Sequence, residues 1–148
     1  MSQLIEDYLR AKGVRYFRGH HDDEYFFLVD VLTAGWHGRL HVHLEGGRSR
    51  EVAVSITPGR YFPADRRGRL GELADRWSAG FTGARVVFQP SSDPALVGVL
   101  ACNLDRPADE EALGEFVDGT VASAVELFVA MMQATETSMP PARLRDAG

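Results

Sequence analysis

Apolar side chains recur at helical spacing near both ends of the chain. Leu4, Ile5 and Leu9 fall on one face, which predicts a short amphipathic helix over residues 2–12. A longer stripe predicts a helix over residues 109–135. The apolar positions of that stripe are Leu113, Phe116, Val117, Val121, Ala124, Val125, Phe128 and Met132. Each helix therefore has one apolar face that must pack against another element.

Three apolar runs between these helices predict strands. Residues 24–32 are rich in β-branched and aromatic side chains and are apolar on both faces except at Asp30, which is typical of a strand deep in a sheet. Residues 39–45 and 51–56 alternate strictly between apolar and polar positions. One side of each of these two strands should therefore be buried and the other exposed to water. The Gly-Gly pair at 46–47 is predicted to join them as a hairpin turn.

The second half of the chain adds a middle helix and two more strands. Asp65 is a candidate N-cap for a helix that ends near Gly80. Residues 84–88 and 96–104 are apolar and flank a turn, which predicts two further strands. The order α-β-β-β-α-β-β-α predicts an α+β fold with a mostly antiparallel, five-stranded sheet and helices on one face.

Composition and charge narrow the class of protein. The chain of 148 residues and 16.3 kDa fits one domain, which we place at residues 1–136, followed by a flexible tail at residues 137–148. Its net charge is −5, so a nucleic-acid partner is not expected. With no apolar run near the length of a membrane span and no signal peptide, we expect a cytoplasmic protein without a membrane partner.

Three stretches of the sequence resemble the YbjN-domain family. They are the strand segment FLVD at residues 27–30, the passage LADRWSAGFTGARVVF at residues 73–88, and the helix DEEALGEFVDGTVASAVELFVAMM at residues 109–132. The resemblance covers residues 2–135 and implies the fold of class I type III secretion chaperones. Family members are described as sensory transduction regulators or chaperone-like proteins, usually dimeric. Relatives carry a Trp-Asn pair in the second passage, whereas here Ser78 follows Trp77, so any role of that asparagine is absent.

Surplus apolar surface and the resemblance together predict a homodimer. Residues 96–104 are apolar on both faces, and one layer of helices covers only one face of a sheet. In the chaperones that this chain resembles, the middle helix and adjacent strands form the dimer, and partner polypeptides wrap around apolar patches. The predicted partner and dimer surface consists of Leu73, Trp77, Phe81, Val97, Leu127 and Met131. Addition of a peptide to an edge strand is another plausible mode of binding.

Histidines are the first candidates for a chemical site. His41 and His43 are two residues apart on a predicted strand, so both imidazoles project from its wet face, and Glu45 continues that face. Residues 20–23 (HHDD) could approach from a loop, and zinc could bind such a set. The spacing matches no zinc motif, however, and an ordinary polar strand face is the alternative.

Four arginines near the start of the middle helix form a second candidate. Arg60, Arg66, Arg67 and Arg69 could hold a phosphate, a carboxylate or an acidic peptide at the helix N-terminus. The alternative is a solvated basic face, since several carboxylates nearby in sequence can neutralise it. The patch is too small for sequence-specific recognition of nucleic acid.

The sequence contains none of the common catalytic or nucleotide-binding motifs. Asp30 could be a general base, but pairing with a cross-strand arginine such as Arg39 is favoured, because no nucleophile accompanies it. Cys102 lies in an apolar strand and is expected to be an inert, buried thiol. We therefore predict no enzyme and no cofactor, but a non-catalytic, chaperone-like or regulatory protein-binding homodimer. The alternatives are a metal- or small-ligand-responsive sensor using the histidine face, and an enzyme whose pocket the sequence does not reveal.

Overall fold

The computed structural model describes residues 2–33 and 35–136, which form three helices and seven strands. The helices are α1 (Ser2–Lys12), α2 (Arg67–Ser78) and α3 (Glu110–Glu136). The strands are β1 (Tyr16–Arg18), β2 (Glu24–Leu32), β3 (His37–Gly46), β4 (Val52–Thr57), β5 (Phe62–Pro63), β6 (Arg85–Pro90) and β7 (Leu96–Asp105). Within these ranges, no helix combines the length and the apolar character that crossing a bilayer requires. The tail predicted at residues 137–148 lies outside the described part of the chain.

The strands form one antiparallel sheet in the order β1-β2-β3-β4-β7-β5, and β6 pairs with the other edge of β7. Strand β7 is the central strand of the C-terminal part of the sheet, because it pairs with β4, β5 and β6. The predicted α+β class and the order of the long elements are confirmed. Two short strands, β1 and β5, raise the number of strands from the predicted five to seven.

The core lies between one face of the sheet and the helices. Strand β3 buries Leu40, Val42 and Leu44 on that face, as its alternation predicts. They belong to the same core as Ile5 and Leu9 of α1. Helix α3 contacts both other helices and also strands β4, β5 and β7, so it holds the helical layer on the sheet.

Helix α2 begins later than its sequence suggests. Asp65 is not its N-cap: it lies in a 3₁₀ turn that starts after Pro63, and α2 begins at Arg67 without a capping hydrogen bond from any described side chain. The prediction of an aspartate cap was therefore wrong. Packing holds the helix instead, since Leu70 and Leu73 are buried in the core.

The connection from β3 to β4 also differs from the prediction. Gly46 is still part of β3, and a 3₁₀ turn follows Gly47, so the two glycines do not form a two-residue hairpin. Ser49 and Arg50 adopt positive φ angles of 57° and 65° in this turn. Non-glycine residues take such angles at some steric cost, and the longer turn requires two of them in succession.

Candidate functional site

The face of the sheet away from the three described helices is open to solvent and partly apolar. Phe17, Phe26, Leu28 and Leu32 are all exposed on this face, Leu32 to 82%. Strand β2 was predicted to lie deep in the sheet, and this prediction was wrong for one of its sides. Only the side that faces the helices is buried, since the described elements include no second helical layer to cover the other.

A groove of about 710 Å³ runs over this open face. Phe17, Phe26 and Leu28 on β1 and β2 form one wall, and Leu100 on β7 lies on the other side. The polar side chains between them, on β3 and β4, are His41, His43, Ser55 and Thr57. This open-face groove therefore combines apolar walls with a floor that can donate and accept hydrogen bonds.

Three side chains converge on the open face at the point where β2 begins and β3 ends. The ligand-type atoms of Glu24, His43 and Glu45 all lie within 4.8 Å of one another. His43 Nε2 is 2.8 Å from Glu24 Oε2, and the imidazole stacks on the Phe26 ring at a centroid distance of 4.6 Å. The hydrogen bond from His43 lowers the pKa of Glu24 and outweighs its partial burial, which raises it. We call these three residues the Glu-His-Glu cluster.

The two histidines singled out in the sequence share a face, as predicted, but only one of them joins this cluster. His41 lines the groove and is exposed, and it is not among the cluster's three residues. From the preceding turn, His21 contributes its backbone N–H, which donates to Glu24 Oε1 at 3.4 Å. Glu24 was not identified as a site residue, although the pairing of β2 with β3 places it opposite Glu45.

Three of the four predicted anion-binding arginines contact separate neighbours. Arg60 stacks on the ring of Phe62 and Arg67 on that of Phe88, the latter at 3.5 Å from the ring centroid. The guanidinium of Arg69 lies 3.1 Å from Glu72. The fourth arginine, at the N-terminal boundary of α2, is the half-buried Arg66. These contacts engage three of the guanidinium groups with different neighbours, and an anion site formed by all four stays a prediction.

Half of the predicted dimer surface is core in the single chain. Leu73, Leu127 and Met131 are only 8%, 4% and 0% exposed. They belong to the core cluster, so they are not available as a surface, which corrects their assignment. The other three predicted surface residues, all half-buried, are Trp77, Phe81 and Val97. The rings of Trp77 and Phe81 lie 5.3 Å apart at the end of α2.

The remaining two candidates also face the open side of the sheet. Asp30 accepts a hydrogen bond of 2.9 Å from Arg39 Nε, directly opposite on β3, which confirms the predicted cross-strand pair. Both side chains are well exposed, so this pair lies on the surface. Cys102 is half-buried rather than buried, and its Sγ lies 3.8 Å from the Ser55 hydroxyl.

A buried carboxylate that the sequence analysis missed lies on the other side of the sheet. Glu6 of α1 is buried and accepts hydrogen bonds from Tyr16 at 3.3 Å, Tyr25 at 3.2 Å and the guanidinium of Arg18. Burial raises the pKa of Glu6, but the hydrogen bond and charge of Arg18, with the two phenols, bring it below its usual value. The group ties α1 to β1 and β2, which is a structural role.

Comparison with known proteins identifies the fold. No family model matches the chain, and no curated protein matches it in sequence. The crystal structure of YbjN from E. coli, described as a proposed transcription regulator, superposes with a TM-score of 0.60. It covers 93% of this chain and 95% of its own, at 11% sequence identity. This chain therefore has a YbjN-like fold.

Proposed function

We propose that this chain is a non-catalytic, regulatory or chaperone-like protein that acts as a homodimer and binds a partner polypeptide on the open face of its sheet. The observation that carries the proposal is the open-face groove. Its volume of about 710 Å³ suits a bound ligand or peptide segment, and its walls consist of exposed aromatic and aliphatic side chains. Apolar patches of this kind on a soluble domain mark sites of interaction.

The chemistry of the groove favours a polypeptide. An extended segment laid along β3 and β4 could place its apolar side chains against Phe26 and Leu28 on one side and Leu100 on the other. Its backbone could form hydrogen bonds with His41 and Ser55 on the floor. Among the described residues, the short edge strand β1 pairs only with β2, so its other side offers additional backbone groups for strand addition.

Two ionisable groups with shifted pKa values have structural roles on the helical side of the sheet. The pKa of the Tyr8 phenol is raised by burial and by its hydrogen bond to Asp118, and this contact joins α1 to α3. Glu6 likewise joins α1 to the sheet. Both groups lie on the helical side, so these two shifted pKa values belong to structural contacts. The lowered pKa of Glu24, on the open face, comes mainly from its hydrogen bond with His43.

We place the homodimer contact at the end of α2, by analogy with the secretion chaperones that this chain resembles. Trp77 and Phe81 remain half-buried in the single chain and stack on each other. Phe81 is not part of the core cluster and is only half-buried, so part of its ring is accessible to a second copy. This contact leaves the open-face groove free for the partner polypeptide, because α2 lies on the other side of the sheet.

A peptide array tests the proposal directly. Arrayed peptides of about 12 residues are probed with untagged protein, and binders are measured by fluorescence anisotropy. We expect binders with apolar residues at alternate positions, which is the spacing of an extended chain. Leu28→Asp should weaken their binding at least tenfold, because it places a charge in the wall of the groove.

Leu32→Asp is the matched control. Leu32 lies on the same strand and the same face as Leu28 and is more exposed, but it does not line the groove. It should leave peptide affinity within a factor of two of the unmodified protein. The absence of any binder on the array, or an equal loss of affinity in both variants, would show that the groove is not a polypeptide site.

A further inference from the structure

The Glu-His-Glu cluster places two carboxylates directly opposite each other on neighbouring strands. Glu24 of β2 and Glu45 of β3 are partners in the antiparallel register. Like charges in such a position repel each other and destabilise the strand pair. The cluster is also partly shielded from water, since the side chains of Glu24 and His43 are only 14% and 27% exposed. Two negative charges held together in this position favour a bound cation.

The contacts within the cluster leave the negative charge of one carboxylate, that of Glu45, without a partner among the described residues. Glu24 has the imidazole of His43 and the backbone N–H of His21 as partners. No group in the described part of the chain forms a hydrogen bond or an ion pair with the carboxylate of Glu45. The Glu24–His43 pair therefore does not account for the presence of Glu45, whose carboxylate oxygen lies within 4.8 Å of both other ligand atoms.

We propose that Glu24, His43 and Glu45 bind one divalent transition-metal ion of the zinc class. One imidazole and two carboxylates are a donor set that such ions accept, at bond lengths of about 2.0–2.2 Å. Around a tetrahedral ion, ligand atoms are separated by about 3.3 Å. To bind such an ion, His43 and Glu24 have to separate slightly from their present distance of 2.8 Å, and the Glu45 carboxylate has to move towards them. Rotation about side-chain bonds allows both movements.

The backbone geometry supports the same site. His43 and Glu45 project from one face of β3 two residues apart, and the pairing with β2 fixes Glu24 beside them. The Phe26 ring lies against the imidazole and limits its rotation. Three protein ligands leave the fourth position of a tetrahedral ion open, as in zinc sites that bind a further ligand. Because His43 also lines the open-face groove, the ion would lie at the border of that groove.

Zinc titration of the untagged full chain tests this site. Isothermal titration calorimetry with Zn²⁺ and a competing chelator should give one equivalent bound per chain. His43→Ala and Glu45→Gln should each weaken Zn²⁺ affinity at least tenfold. His41→Ala is the matched control, since it removes an exposed imidazole from the same face without touching the cluster, and it should leave the affinity unchanged.

Glu45→Gln separates loss of the site from loss of the fold. The substitution is close to isosteric and removes the repulsion from Glu24, so without metal its melting temperature should equal or exceed that of the unmodified protein. Added Zn²⁺ should then raise the melting temperature of the unmodified protein but not of the variant. The proposal is overturned if zinc does not bind, if Glu45→Gln keeps full affinity, or if His41→Ala abolishes binding.

The metal site and the polypeptide site can fail independently. Leu28→Asp lies outside the Glu-His-Glu cluster and should keep the Zn²⁺ affinity of the unmodified protein while losing peptide binding. Glu45 is not among the residues that line the groove, so Glu45→Gln should still bind peptides in metal-free buffer. Loss of both activities in either variant would indicate unfolding, which circular dichroism of the same samples detects.

Discussion

The phenol of Tyr8 donates a hydrogen bond of 2.6 Å to a carboxylate oxygen of Asp118, 110 residues further along the chain. Lys12, one turn later in α1, reaches the same oxygen at 2.9 Å. Helix α1 is thereby attached to α3 by two polar contacts beside its buried Ile5 and Leu9. These contacts hold the first and last helices side by side on the same face of the sheet.

Replacing Tyr8 by Phe tests how much the hydrogen bond to Asp118 contributes to the stability of the fold. We expect a loss of about 1 kcal/mol in the free energy of unfolding, less than is usual for a hydrogen bond to a charged group, because Asp118 is 53% exposed. Urea unfolding of the single variants and of the double variant with Asp118→Asn measures the coupling. A coupling energy near zero would contradict the role of this bond in holding α1.

Glu6 is expected to control stability in acid. Its pKa is lowered in the folded chain, so its contribution is present above the ordinary carboxyl pKa near 4.5 and is lost as the pH falls through the lowered folded value. Glu6→Gln should lower the melting temperature at pH 7 and flatten its dependence on pH in the acid range. Thermal unfolding from pH 7 to pH 3 makes this measurement, with exposed Glu72→Gln as the control. Parallel pH profiles for Glu6→Gln and the unmodified protein would contradict the prediction.

The buried pair Asn103 and Thr120 joins β7 to α3. Asn103 Nδ2 donates to Thr120 Oγ1 at 3.0 Å, and that hydroxyl donates to the Phe116 carbonyl. Thr120→Val keeps the shape of the side chain but leaves the amide of Asn103 without its acceptor, which should cost about 1–3 kcal/mol of unfolding free energy. Thr120→Ser keeps the hydroxyl and should cost less. Equal stability of the Val and Ser variants in urea would show that the amide is satisfied in another way.

If the homodimer forms at the end of α2, a charged substitution there should weaken it. We expect the unmodified chain to sediment as a dimer and Phe81→Glu to raise the dimer dissociation constant at least tenfold, because a charge would replace an apolar contact. Leu32→Asp, on the open face, should sediment like the unmodified chain. Sedimentation velocity over a range of concentrations provides the comparison. A monomeric unmodified chain, or a Phe81→Glu dimer of unchanged affinity, would refute the contact.

Periodicity was sufficient to predict the long elements and the class of fold. The strict alternation of β3 and β4 identifies their buried faces, because the side-chain period of a strand is two. The same rule failed for β2, since a strand that is apolar on both sides is equally consistent with burial and with an exposed binding face. Sequence alone gives no indication of which neighbour covers a strand. The burial of Leu127 and Met131 was missed for a similar reason, as the faces of α3 that are covered depend on its partners.

The candidate site was predicted in part. Spacing alone placed His43 and Glu45 on one face, because both belong to one strand. Glu24 reaches them only through the pairing of β2 with β3, and the register of that pairing is a tertiary property that the sequence does not specify directly. Asp30 and Arg39 were paired correctly because a charge within an apolar strand needs a partner, and the hairpin supplies one.

Strand β7 also sets the order in which the sheet can be completed during synthesis. Strands β1 to β4 pair with successive neighbours and can associate as they leave the ribosome. The second edge of β4 has to wait for β7, which begins roughly 40 residues later. At about 5–20 residues per second, that edge stays unpaired for a few seconds. The growing chain is therefore a second form, besides the finished protein with β1 at its edge, in which edge-to-edge association between copies has to be prevented.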